Sequence, residues 1–255
     1  MKALIGFLAV LALGYAALCT WFYVQQRALL YFPVPARGQL PTMPVPSADA
    51  EVRSSVANPD AADALVYFGG NAEDVSLSAE ELATSYPDHA IYALHYRGYG
   101  PSRGQPTEAD LVADASALLT QVAERHATVH VIGRSLGSGV AVQAVAGRDV
   151  ASLTLVTPFA SIVGVGQSAY WFMPVSLLAK DRYESDRHVG QLRVPVRLLI
   201  AERDEVIPRW SSEALIAAFA SEQAPEVFVI AGRGHNDVQR DAEYWSLLLP
   251  AEVQP

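Results

Sequence analysis

Thr128-Val129-His130-Val131-Ile132-Gly133-Arg134-Ser135-Leu136-Gly137 is the stretch that decides how this chain is read. Its first five residues are short, largely β-branched and apolar, as in a strand buried inside a parallel sheet. Residues 140–146 then read as a helix that stops at Gly147. A G-x-S-x-G between a strand and a helix has the form of a nucleophile elbow. The turn is so tight that the serine backbone is strained and its neighbours must be glycine. That geometry lifts the Ser135 hydroxyl above the sheet. It also aims the Leu136 N–H, at a helix N-terminus, at the place where an oxyanion forms. The five letters alone are a weak signal, and the strand and helix around them make it a strong one.

Outward from the elbow the pattern alternates strand and helix. Strands are expected at 64–68, 90–95, Ser152–Val156, Val196–Ala201 and Glu226–Ile230. Helices are expected at 78–85, after a Thr107 cap with Asp110 three residues on, across 211–220, and across 237–249. Short apolar strands alternating with helices predict a mostly parallel sheet covered on both faces, with its chemistry at the carboxyl ends of the strands. Residues 158–190 break the alternation with Tyr170-Trp171-Phe172-Met173-Pro174. An insertion there forms either a cap over the site or a helical excursion packed on the body.

A serine hydroxyl needs a base within hydrogen-bond reach. Of the six histidines, His126 and His130 sit at or inside the strand before the elbow, and His89 precedes a strand at the far end of the sheet. His188 lies in a charged segment, whereas His95 ends a strand and can approach the site. His235 stands in Gly232-Arg233-Gly234-His235-Asn236-Asp237, a loop after the last strand that can carry an imidazole over the sheet, and is the expected base. The base needs a carboxylate to orient it. Asp204, just past the 196–201 strand, is the expected partner, with Glu202 and Glu205 as local competitors. The second oxyanion donor is expected from Gly69-Gly70-Asn71-Ala72, with the Asn71 N–H as the better candidate. This chemistry calls for neither metal nor cofactor.

Residues 3–24 carry no charge between Lys2 and Arg27, and a helix of that length spans about 33 Å, close to a bilayer core. Trp21-Phe22-Tyr23 sits where an aromatic belt anchors one end. The expectation is an uncleaved transmembrane anchor over 1–26, against a cleaved signal peptide or a core helix. Charge around it is too even to set orientation firmly, and the catalytic domain is expected outside the cytoplasm. Five prolines between Pro33 and Pro46 make 27–50 a tether or an extended edge segment. The remaining 51–255 is ample for one α/β domain, with the cap at about 158–190. The net charge of −9 is spread along the chain, and the absence of a basic run argues against nucleic acid as a partner.

Leu30-Tyr31-Phe32-Pro33, Tyr67 to Ala72, Tyr96-Arg97-Gly98-Tyr99-Gly100-Pro101-Ser102, the elbow extended to Ser138-Gly139, Thr157-Pro158-Phe159, Asp204 to Pro208 and Gly234-His235-Asn236-Asp237 together carry a family likeness. With them the chain resembles the α/β-hydrolase superfamily, and within it the membrane-anchored serine hydrolases that include the Bem46-like proteins. Two positions depart from the family. Gly69 stands where a histidine usually precedes glycine, and His95 where that strand often ends in Asp. The resemblance implies an α/β-hydrolase fold, mostly parallel, with helices on both faces, a cap after the sixth strand and an N-terminal transmembrane helix. It implies cleavage of carboxylic esters or thioesters by Ser135, His235 and Asp204 through an acyl-enzyme, on a small-molecule or acylated substrate. The alternatives are a serine peptidase or amidase, and a binding protein that keeps the fold without turnover.

Overall fold

Strands β1 (Thr42–Val45), β2 (Val52–Ala57), β3 (Asp63–Phe68), β4 (His89–His95), β5 (Thr128–Arg134), β6 (Ser152–Val156), β7 (Val196–Ala201) and β8 (Glu226–Ile230) make a single sheet in a computed structural model that describes residues 1–251. The tail of the expected domain, 252–255, lies outside the described residues. The strand order is β1-β2-β4-β3-β5-β6-β7-β8; the β1–β2 and β2–β4 pairings are antiparallel, and every pairing from β4–β3 onward is parallel. The period of two in β3 sends Val66 and Phe68 to one face and Leu65 and Tyr67 to the other. Helices α2 (Val75–Ser85), α3 (Glu108–Ala123) and α4 (Leu136–Val145) cover those faces. Leu111 and Leu118 of α3 and Val140 of α4 pack with Val66 and Phe68, while Ala79 and Leu82 of α2 pack with Leu65 and Tyr67. Burial on both faces is why β3 after Asp63 and β4 between its terminal histidines are apolar without interruption.

Local chemistry sets the helix ends. Asp74 accepts from the Ser76 N–H and starts α2 at Val75, three residues before the expected start. Thr107 caps α3 by accepting from the Asp110 N–H, as its spacing predicts. The expected helix over 237–249 is instead a turn at Val238–Arg240 followed by one short helix. The Asp241 carboxylate accepts the Glu243 N–H at 3.1 Å, a local turn that competes with helix continuation. The antiparallel strand β2 has no apolar alternation because its buried serines are paired: Ser54 Oγ donates to the Ala93 carbonyl, and Ser55 Oγ bonds His95 Nε2 at 2.8 Å.

Helix α1 (Lys2–Leu30) has no buried residue and is long and apolar enough to cross a membrane. Past it the chain runs extended to β1, tied to α2 where the Arg37 and Gly38 N–H groups donate to Asp74 and Ser76. The excursion after β6 holds α5 (Ile162–Ala169) and α6 (Val175–Leu178). It docks against α1 through a 2.9 Å Arg27–Asp181 ion pair. Helix α7 (Arg209–Ala217) joins β7 to β8, and α8 (Tyr244–Leu247) is the last.

Candidate active site

Ser135 sits between β5 and α4 with φ 50° and ψ −117°, a conformation strained for any residue with a Cβ. Its N–H is held by the Val156 carbonyl of β6 at 2.9 Å. The flanking glycines are needed for space. A Cβ on Gly133 would come 2.5 Å from the Gly137 carbonyl oxygen, and one on Gly137 would run into the Phe68 carbonyl of β3. The close approach of α4 to the sheet therefore fixes both positions as glycine.

The loops after β7 and β8 deliver the other two groups. His235 Nε2 lies 2.9 Å from Ser135 Oγ, and its Nδ1 lies 2.9 Å from Asp204 Oδ2. The ring and the carboxylate are both buried. With Asp204 ionised, the Nδ1 proton goes to the carboxylate and leaves Nε2 to accept the Ser135 hydroxyl proton. Asp204 is itself fixed, accepting the Val206 and Ile207 N–H groups at 2.9 and 2.7 Å. The two competing carboxylates bind the backbone of the histidine loop instead. Glu202 accepts from the Gly232 N–H at 2.7 Å, and Glu205 from the His235 N–H at 3.2 Å.

Leu136 is the first residue of α4, so its N–H has no acceptor within the helix. In the loop after β3 the Gly70 N–H is occupied by Glu73 Oε2 at 2.6 Å, and Asn71 lines the hollow beside Ser135. Sequence reasoning missed Glu73. Its other oxygen accepts from Tyr67 and Ser78, both at 2.6 Å, and Arg134 stands 3.6 Å away and reaches the His235 carbonyl. Burial, and then the Glu73 carboxylate, push the Tyr67 hydroxyl well above its ordinary range, so it stays a donor. One buried carboxylate thus braces the β3 loop and, through Arg134, the histidine loop. An isolated Glu three residues past Gly-Gly carries no sequence signal for this.

The Asn71 side chain latches the same loop to the end of α1. Its Oδ1 accepts from the Phe32 N–H at 2.9 Å and from Tyr99 Oη at 2.7 Å, and its Nδ2 donates to the Leu30 carbonyl. Burial first of all pushes Tyr99 up to about 12, which keeps that donor protonated. A hollow of about 400 Å³ beside Ser135 is lined by Phe32, Asn71, Arg134, Val206, His235 and Gln239, among others, and by nothing from the excursion after β6.

The remaining histidines stay away from Ser135. His95 bonds Ser55, and burial pushes its imidazole down to about 4, so it is neutral. His126 bonds Tyr92 and the Ala61 carbonyl, and His130 bonds Ser152. Among the described residues no group of three or more His, Cys, Asp or Glu is placed to hold a metal ion.

No protein-family model matches the chain. Among curated proteins it is 32% identical over 253 residues to an uncharacterised protein of Mycobacterium tuberculosis, covering 90% of this chain and 87% of that one. It is 25% identical over 228 residues to protein bem46 of Schizosaccharomyces pombe, with 78% and 74% covered. It is also 30% identical over 168 residues to lysophosphatidylserine lipase ABHD12 of Danio rerio, spanning 56% of this chain and 44% of that protein. Among solved structures, an esterase of Pyrococcus furiosus superposes with a TM-score of 0.68 over 85% of this chain and 95% of its own, at 14% identity, a likeness of fold alone.

Proposed function

Because this chain belongs to the α/β-hydrolase superfamily, in its Bem46-like branch, we propose that it is a membrane-anchored serine hydrolase of carboxylic esters or thioesters. The observation that carries this reading is the single imidazole of His235 bridging Ser135 Oγ and Asp204 at 2.9 Å on each side. In the proposed reaction Ser135 attacks the acyl carbonyl while His235 Nε2 takes its proton, and Asp204 stabilises the imidazolium. The Leu136 and Asn71 N–H groups receive the oxyanion, each donor supporting about a hundredfold or more in rate. His235 then returns the proton to the leaving oxygen or sulfur, and water releases the acyl group by the reverse relay.

Support for an acyl ester comes from relatives whose names are those of a lipase and, by fold, an esterase. Support for the anchor comes from the length and apolarity of α1. The test is turnover by the full chain in detergent, over matched ester, thioester and amide substrates. The reading predicts hydrolysis of the first two well above the amide, lost in Ser135→Ala. Amide cleavage equal to or above ester cleavage would favour the peptidase or amidase alternative, and no hydrolysis by the folded chain would favour a binding protein.

A further inference from the structure

Residues 160–179 of the excursion contain no charged side chain, and its tip is poorly covered by the rest of the chain. Trp171 is 81% exposed and Leu177 84%, with Tyr170 and Phe172 each above 40%. A contiguous surface of this kind on a globular domain marks a place meant for an apolar neighbour.

The contacts of the excursion with α1 say what that neighbour is. Tyr15 Oη donates to the Phe172 carbonyl at 2.9 Å, and the Phe22 and Tyr170 rings meet edge to face at 5.6 Å. Higher up, Lys180 lies 4.1 Å over the Tyr23 ring, Gln26 bonds the Leu178 carbonyl and the Lys180 N–H, and Arg27 pairs with Asp181. The two segments therefore change from uncharged to charged at the same level. The apolar run of α1 reaches Val24, and Tyr15 lies nine residues before it, about 14 Å along the helix. If α1 spans a bilayer, Phe172 is carried to that depth with it.

Most of the backbone N–H groups at the tip are paired within the excursion, those of Trp171 and Phe172 excepted. The N–H groups of Tyr170, Met173, Val175, Leu177, Leu178 and Ala179 all find carbonyl acceptors within the excursion. Arg182 reaches back to the Ser176 carbonyl, as a cation at an interface snorkels. Between α1 and the excursion lies an apolar hollow of about 160 Å³ lined by Phe22, Leu29, Ile162, Tyr170 and Met173, among others.

We propose that the tip from Tyr170 to Leu178 is a second membrane-inserted element, immersed beside α1 in bilayer hydrocarbon. It rests on the membrane-anchored reading of α1. The domain is then held by two elements that fix its tilt, rather than hanging from a swivel.

The experiment uses the full chain in lipid nanodiscs. Cys19 is its single cysteine. In a Cys19→Ser background, Trp171→Cys, Leu177→Cys, Leu13→Cys and Glu124→Cys each carry an environment-sensitive fluorophore. Glu124 is exposed, near the start of β5 at the opposite end of the sheet from the elbow. Quenching is read with lipids bearing a nitroxide in the acyl chain. The expected result is several-fold stronger quenching at 171 and 177 than at 124, comparable to that at 13. Quenching at 13 together with 171 and 177 at the level of 124 overturns the inserted tip and leaves the anchor standing. No quenching at 13 overturns the anchor and the tip together. Labels at 171 and 177 shielded from water but not quenched by lipid, in a chain that sediments as a dimer, would replace the bilayer with a second copy.

Discussion

The loops at the carboxyl ends of β3, β5, β7 and β8 differ from the pair formed by α1 and the excursion in how each is completed. At the strand tips nearly every polar group has a partner inside the chain: Asp204 holds two backbone N–H groups and the His235 ring, and Glu73 holds Gly70, Tyr67 and Ser78. Along α1 no residue is buried, and the excursion turns Trp171 and Leu177 outward. One region is finished within the chain, by the sheet and by the Asn71 latch to the end of α1. The other, as proposed, is completed by bilayer hydrocarbon. In the proposed function a reaction centre at the strand tips is joined to a mount in the bilayer.

The sharpest way to break that contrast is at Asp204. Asp204→Asn should lower kcat on a soluble ester by about 10⁴-fold, equally in detergent and in nanodiscs, because the tip loops are finished within the chain. Glu205→Gln, which touches only the His235 N–H, should cost under about tenfold. If the two losses were exchanged, the orienting carboxylate would be Glu205.

Acid should loosen the sheet edge next. His95 is pushed by burial from 6.5 to about 4. Above pH 6.5 it is neutral folded and unfolded alike. As pH falls from about 6.5 to about 4 the unfolded chain takes up a proton that the folded chain refuses, so stability is lost over that window, on the order of 3 kcal/mol. Urea midpoints against pH should show this slope, and His95→Gln should flatten it.

Glu73→Gln comes next in size. It leaves a neutral group at the centre of the β3 loop brace, and kcat should fall by about tenfold or more with KM little changed. A rise in KM alone would assign Glu73 to substrate binding. The smallest effect belongs to the mount. Arg27→Met removes an ion pair whose arginine is 44% exposed, while Asp181 keeps the Glu108 N–H at 3.1 Å. The expected loss is under about 1 kcal/mol in the unfolding midpoint, with turnover of a soluble ester unchanged.

The same contrast explains what was legible in the sequence. Ser135, Asp204 and His235 each follow a short apolar strand, and a parallel sheet sends all such loops to one end, so placement along the chain implied placement in space. The fold followed from the same alternation. Glu73, the Asn71 latch to Leu30 and the Arg27–Asp181 pair join positions by side-chain geometry that no periodicity encodes. Strand β2 was hidden because hydrogen bonds rather than apolar residues justify burying Ser54 and Ser55. The sequence of the excursion fits either a cap or a helical insertion on the body. It stands after β6, but the hollow it lines lies against α1 and not beside Ser135.

The most direct test of the reaction centre is covalent. The full chain in detergent is treated with a fluorophosphonate and the adduct is located by mass spectrometry of its peptides. The account predicts one adduct, on Ser135, formed at wild-type rate in Glu205→Gln, strongly slowed in Asp204→Asn and absent in Ser135→Ala. A folded wild-type chain that takes up no probe, or takes it up on another residue, would contradict it.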